Sequence, residues 1–176
     1  MPISVASPSE APRLAVPLRA LVRAALAVQG LEPGEITVVL GDDALLRDLN
    51  RRFRALDRAT DVLSFVYDGA GARGGATPRV AGDIVISLDR VSAQARRYRV
   101  SRGRELARLV VHGALHLAGL DHPTRARRLE MRRREARALR ACAPEVRQLE
   151  RRLDRRRGDS GAPSVSRRRG PAREGT

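Results

Sequence analysis

Residues 111–123 read V-H-G-A-L-H-L-A-G-L-D-H-P and contain all three histidines of this 176-residue chain. His112 and His116 are four residues apart, so a helix places both imidazoles on one face, one turn apart. Gly119 tolerates the left-handed geometry in which many helices end, so the chain can reverse and bring His122 back towards the pair. The stretch therefore predicts a helix and a turn that carry three converging imidazoles.

The spacing H-x3-H-x2-G-x2-H is typical of a catalytic zinc site. Three neutral nitrogen ligands from one short element leave the fourth tetrahedral position open to water. Two histidines four residues apart can also be core or surface residues without a metal. A third histidine after a well-placed glycine favours the metal site. We therefore predict that His112, His116 and His122 bind one zinc ion.

The residue after the first histidine bears on the kind of chemistry. Metzincin proteases have the same spacing and carry a general-base glutamate at that position. Gly113 occupies it here. A zincin-like peptidase therefore remains an alternative that lacks its base.

The composition indicates a polyanionic partner. The net charge is +15, and all 35 basic residues are arginine, which favours nucleic acid or an anionic membrane surface. A coding bias towards arginine would raise the charge without creating a binding surface. The single cysteine, Cys142, excludes an internal disulfide and fits a reducing compartment. With no apolar stretch of about 20 residues, we expect a cytoplasmic protein without a membrane span.

Local patterns predict alternating strands and helices. Short β-branched runs predict strands at residues 3–5, 35–40, 61–67 and 80–88. Helical periodicity predicts helices at residues 14–29, 44–53, 89–99 and 124–141. The helix that carries the first two histidines is expected to begin after Ser101, whose side chain can cap it. Its buried stripe is then Leu106, Leu109, Val110 and Ala114.

The composition changes towards the end of the chain. Residues 151–176 contain nine arginines and three acidic residues, with much Gly, Pro and Ser. Such a segment has little to bury, so we expect disorder there. We predict one domain at residues 1–150, followed by an Arg-rich tail that is either a solvated extension or an auxiliary RNA-contacting arm.

Four blocks of the sequence resemble the YbeY family of bacterial endoribonucleases, also described as rRNA maturation factors. The blocks are L-N-R-R-F-R at residues 49–54, T-D-V-L-S-F at 60–65, G-D-I-V-I-S at 82–87 and H-G-A-L-H-L-A-G-L-D-H at 112–122. Gln94, Glu105, Met131 and Glu135 also look like family positions. The resemblance covers about residues 45–139.

The resemblance implies a single compact α+β domain with a small mixed sheet packed with helices. It implies that His112, His116 and His122 bind zinc beside a basic cleft, and that Arg54 matches an arginine important for activity. The implied activity is zinc-dependent cleavage of single-stranded RNA in 3′-end maturation of small-subunit ribosomal RNA and in ribosome quality control. The implied partners are single-stranded ribosomal RNA and the ribosome or its small subunit.

Several points stay open at the level of the sequence. Asp121 is either an orienting or turn-capping residue or the general base, and the attacking group is either a water or the RNA 2′-hydroxyl. Asp61 and Asp83 either line the cleft or hydrogen-bond the backbone, whereas Glu105 and Glu135 are expected to be structural. A non-catalytic zinc-containing ribosome assembly factor is a further alternative. The oligomeric state is not predicted.

Overall fold

The described part of the chain contains one four-stranded sheet. The computed structural model describes residues 3–7, 11–67 and 77–154. Its strands are β1 (Ile3–Ala6), β2 (Glu32–Gly41), β3 (Val62–Val66) and β4 (Arg79–Ser87). The order is β1-β2-β4-β3, with β1, β2 and β4 parallel and β3 antiparallel to β4. The predicted small mixed sheet is confirmed, and β3 forms one of its edges.

Six helices accompany this sheet within the described residues. They are α1 (Ala11–Ala27), α2 (Asp43–Arg54), α3 (Leu88–Tyr98), α4 (Arg102–Leu117), α5 (Arg125–Ala141) and α6 (Ala143–Asp154). The strands and helices form an α+β domain, as predicted. Ser101 precedes α4, and its hydroxyl accepts a hydrogen bond from Arg104 N at 3.1 Å. This satisfies one of the free N–H groups at the helix start.

The central helix α4 organises the hydrophobic core. The predicted stripe of Leu106, Leu109, Val110 and Ala114 is at most 1% exposed. Each buried leucine contributes about 1.5–3 kcal/mol relative to an exposed one. The helix α4 is buried between the sheet and the other helices over most of its length, and its two histidines remain partly accessible.

Side chains alternate between the two faces of the sheet. Ile36 and Val38 of β2 and Ile84 of β4 pack into the core with α1 and α4. Leu63 and Val85 point the other way and pack on α2. The sheet is therefore covered on both faces, and β3 runs along the open edge next to α4.

The end of the chain differs from the expectation in one helix. No helix is predicted after residue 141, yet α6 buries Val146, Leu149 and Leu153 against the core. Val146, Leu149 and Leu153 have the spacing of one helix face, but charged residues separate them. The helical periodicity of this segment is therefore weak in the sequence. In α5, Leu129 is 50% exposed, whereas Met131 is 2% exposed.

The helix α6 extends to Asp154 and so includes the first four residues of the predicted tail. Leu153 is 4% exposed and belongs to the core cluster. The rest of the predicted tail, residues 155–176, lies outside the described residues. The division of the chain at residue 150 therefore stays a prediction.

Candidate metal centre

The three histidines meet at the end of α4. His112 and His116 lie one turn apart on the accessible face of this helix. Gly119 follows with φ +85°, a conformation that favours glycine. This turn brings His122 back, so that His116 Nε2 lies 3.1 Å from both His112 Nε2 and His122 Nε2.

These distances suit a shared cation. With metal–nitrogen bonds of about 2.0–2.1 Å, tetrahedral geometry separates two ligand nitrogens by about 3.3 Å. The three ring nitrogens lie within 4.8 Å of one another, so their lone pairs can be directed at one cation when none of them carries a proton. Among the described residues, the potential metal-ligand group comprises His112, His116 and His122 alone. The donor set therefore fits a single metal ion with one coordination position left for another molecule.

Electrostatics keeps the middle ligand neutral. Burial lowers the pKa of His116, and the neighbouring His112 and His122 imidazoles lower it further, to about 4. Asp121 acts in the opposite direction. His116 is therefore unprotonated at neutral pH and offers a lone pair to a metal.

A buried carboxylate orients the first ligand. Glu135 of α5 is 8% exposed, and its Oε1 lies 2.6 Å from His112 Nδ1. When Nδ1–H donates to this carboxylate, the proton is held there and Nε2 keeps its lone pair for the metal. Glu135 thus acts on the site itself and goes beyond the structural role expected from the sequence.

Asp121 accepts a hydrogen bond from the main chain of its own turn. Its Oδ1 accepts a hydrogen bond from His122 N at 2.7 Å. This contact caps the turn that carries His122 and involves the main chain, as in one of the roles considered from the sequence. Asp121 also lines the cavity described next.

A cavity of about 440 Å³ opens in front of the histidines. The described residues that line it are Arg54, Thr60, Asp61, Val62, Ser64, His112, His116, Asp121 and His122. The structure thus brings Arg54 and the three histidines into one cleft. Asp83 does not line it, and its carboxylate accepts a hydrogen bond from the Tyr67 hydroxyl.

Arg54 comes from the last turn of α2. Ala55 ends this helix with φ 55°, which turns the chain towards β3. The buried Asn50 anchors the connection, because its Nδ2 donates to Arg58 O at 2.8 Å. Within the described residues, the Arg54 guanidinium has no ion pair or hydrogen bond, so its donors are available to a ligand in the cleft.

A chain of polar groups holds Asp61 at the wall of the cavity. Asp61 Oδ2 accepts from Gln94 Nε2 at 2.9 Å, and Gln94 Oε1 accepts from Arg108 at 3.1 Å. Arg108 in turn pairs with the buried Glu105 at 2.6 Å. Burial raises the pKa of Asp61, but the hydrogen bonds from Gln94 and from backbone N–H groups outweigh it, and the pKa lies below its usual value. Asp61 therefore carries a negative charge in the cleft at neutral pH.

The glycine after the first histidine faces the sheet. A Cβ at Gly113 would lie 2.6 Å from Ile84 Cγ2 and 3.2 Å from Ser64 Oγ. Gly113 O also accepts a hydrogen bond from Ser64 Oγ at 3.1 Å. A glutamate at this position would collide with the sheet, so the place of a peptidase base is closed by packing.

Most residues of the cleft are predicted from the sequence, but several of the groups around it are not. Thr60 and Ser64 were seen only within a motif block, and Arg108 was not singled out. The pairing of Glu135 with His112 links two helices, and no local pattern marks it.

A transmembrane span needs about 20 mostly apolar residues, and no helix in residues 11–67 or 77–154 provides such a stretch.

Comparison with known sequences identifies related proteins. The family model described as "Endoribonuclease YbeY" matches residues 10–143. A protein named "Endoribonuclease YbeY" from Roseiflexus sp. strain RS-1 is 46% identical over 139 residues, covering 71% of this chain and 87% of that protein. One of the same name from Treponema denticola is 40% identical over 136 residues, covering 73% of this chain and 85% of that protein.

A solved structure has the same fold. The solution structure of TM1509 from Thermotoga maritima aligns with a TM-score of 0.53 and 22% sequence identity. The alignment covers 81% of this chain and 92% of that chain. The α+β arrangement described above is therefore found in an experimental structure.

Proposed function

We infer that this chain, which belongs to the YbeY family of endoribonucleases, is a hydrolase that cleaves RNA and acts in ribosomal RNA processing. Both statements follow from the family, whose model matches residues 10–143. The finer proposal is that the chain cleaves single-stranded RNA with one zinc ion and matures the 3′ end of small-subunit ribosomal RNA. We further propose that it acts in the cytoplasm, on the ribosome or its small subunit, and in ribosome quality control.

One observation carries the proposal. Three histidine nitrogens and the unpaired Arg54 guanidinium share one open cavity of about 440 Å³. Three neutral imidazoles without a thiolate are the ligand set of catalytic zinc sites that keep an open position. The Arg54 guanidinium beside such a site suits a phosphodiester, because a guanidinium binds phosphate oxygens through two parallel hydrogen bonds.

The residues of the cleft have different roles in the proposed cleavage reaction. A bound zinc supplies a Lewis acid for a phosphoryl oxygen and a water whose pKa is lowered towards about 7. Arg54 binds the phosphate and orients the scissile bond, while Glu135 holds His112 in the tautomer that binds metal. Position 113 supplies no base. Asp61 and Asp121 are the carboxylates of the cavity, and either can accept a proton from the attacking group.

The test is cleavage of a single-stranded ribosomal RNA fragment by four proteins with measured zinc content. These are the wild type, His116→Ala, Arg54→Ala and the control Arg51→Ala. Arg51 lies on the same helix but pairs with Asp48 at 2.9 Å and does not line the cavity. We expect His116→Ala to lose zinc and cleavage, and Arg54→Ala to keep zinc but lose most of its activity.

The control Arg51→Ala is expected to cleave like the wild type. Cleavage that persists in metal-free His116→Ala would contradict the proposal, because the activity would then come from another site. The product ends identify the nucleophile. A 2′,3′-cyclic phosphate indicates attack by the RNA 2′-hydroxyl and excludes attack by water.

A further inference from the structure

We propose that one flank of α5 binds the sugar–phosphate backbone of single-stranded RNA beside the metal cavity. This α5 flank consists of Arg125, Arg128 and Arg132. The proposal rests on the RNA-cleaving function above and adds a surface that holds the strand outside the cavity. It assigns a role to the basic charge that the cleft residues leave unexplained.

Two contacts show which side of α5 faces the cleft. Glu135 reaches His112 of α4, whereas the preceding residue, Arg134, contacts Gln29 in the turn that follows α1. Arg132 lies three residues before Glu135, and Arg125 lies seven residues before Arg132. Positions at these spacings stand on one side of a helix. The α5 flank therefore lies on the side of the helix that leads to the histidines.

The flank is exposed and next to the site. The helix α5 begins three residues after His122, and residues 125–130 are all exposed. In the part of the chain that the structure describes, the side chains of Arg125 and Arg132 form no ion pair or hydrogen bond. Both acids of α5 are already engaged, Glu130 with Arg134 and Glu135 with His112. The charge of the flank is therefore available to an external anion.

The side chains of α5 indicate which ligand the α5 flank binds. The helix offers no aromatic side chain for base stacking, so its contacts go to phosphates and are not sequence-specific. Arg125 and Arg132 are about 10 Å apart along the helix axis. Arg54 lines the cavity together with residues 60–64, whereas α5 approaches the histidines through Glu135, which contacts His112. A single strand that crosses the histidines thus meets arginines of α2 and of α5.

The helix also provides a matched control. Arg133 and Arg140 are exposed and are seven residues apart like Arg125 and Arg132, and the helical period places them on the side opposite Glu135. Replacing either pair with glutamine removes two charges and retains good helix propensity. Both double variants lower the net charge by two, so an effect of net charge alone is expected in both, whereas a direct contact is expected only for the pair on the side of Glu135.

The experiment measures kcat/KM of the full-length, zinc-loaded protein on a labelled 20-nucleotide single-stranded RNA. We expect Arg125→Gln/Arg132→Gln to lower kcat/KM about tenfold through KM, as two phosphate contacts are lost. The logarithmic salt dependence of KM should become shallower by about 1.4, the value for two phosphates on a single strand. We expect Arg133→Gln/Arg140→Gln to stay within about twofold of the wild type.

Equal losses in the two double variants, or no loss in either, would overturn the proposal. Arg125→Lys/Arg132→Lys keeps the charge and is expected to retain most of kcat/KM, which separates lost contact from misfolding. Thermal unfolding and zinc content are measured for every variant. If the wild type cleaves no RNA, the proposed function fails. Fluorescence anisotropy with the same proteins then measures their dissociation constants for the RNA, and these constants test the α5 flank separately.

Discussion

The contact between Glu135 and His112 allows a quantitative prediction about metal affinity. Glu135→Gln keeps the size of the side chain and can still accept a hydrogen bond from Nδ1–H, but it removes the negative charge 2.6 Å from the imidazole. The His112 imidazole then becomes a weaker donor to the metal. Loss of such a partner typically weakens metal binding 10–100-fold, or about 1.4–2.7 kcal/mol.

The assay is a zinc competition titration against a chelator of known affinity at neutral pH, with cleavage measured at saturating zinc. We expect Glu135→Gln to bind zinc 10–100-fold more weakly and to regain most of its cleavage once the site is filled. The control is Glu130→Gln on the same helix, because Glu130 pairs with Arg134 and is remote from the histidines in its contacts. Wild-type zinc affinity in Glu135→Gln would refute the inference that this carboxylate tunes the ligand.

Three further predictions concern stability. Gly113→Ala should cost about 1–3 kcal/mol in urea unfolding, because its Cβ would lie 2.6 Å from Ile84 Cγ2; unchanged stability would show that the sheet yields freely. Leu153→Ala should cost about 2–5 kcal/mol, whereas the half-exposed Leu129→Ala should cost less than about 0.5 kcal/mol; equal effects would mean that α6 is not part of the core. The metal-free protein should lose stability as the pH falls from 6.5 towards 4, because unfolding lets His116 take up a proton that the folded state excludes; the urea midpoint should vary less with pH in His116→Gln.

Much of the fold was predictable because its signals are local. The strands followed from short β-branched runs, and the start of α4 followed from Ser101, whose hydroxyl accepts from Arg104 N. The four motif blocks led to the correct family, which the matches over residues 10–143 show. The helix α6 was not predicted because charged residues separate Val146, Leu149 and Leu153 in the sequence. Their burial depends on the close approach of the α6 backbone to Gly103 of α4.

The walls of the site were less predictable because they join distant parts of the chain. Asp61, Gln94 and Arg108 come from the approach to β3, from α3 and from α4, and only packing makes them one hydrogen-bonded chain. Glu135 lies 23 residues after His112 and reaches it because α5 folds back along α4. A sequence pattern carries no information about such a contact until the packing is known.

The sequence by itself determined that three imidazoles converge. The rise and period of a helix set the separation of His112 and His116, and one glycine turn returns His122, so backbone geometry within eleven residues suffices. Only the tertiary structure decided which groups surround them: Glu135 behind the first ligand, Arg54 in front, and the sheet against Gly113. These contacts depend on how separate elements share one hydrophobic core, and that is set by burial over the whole domain.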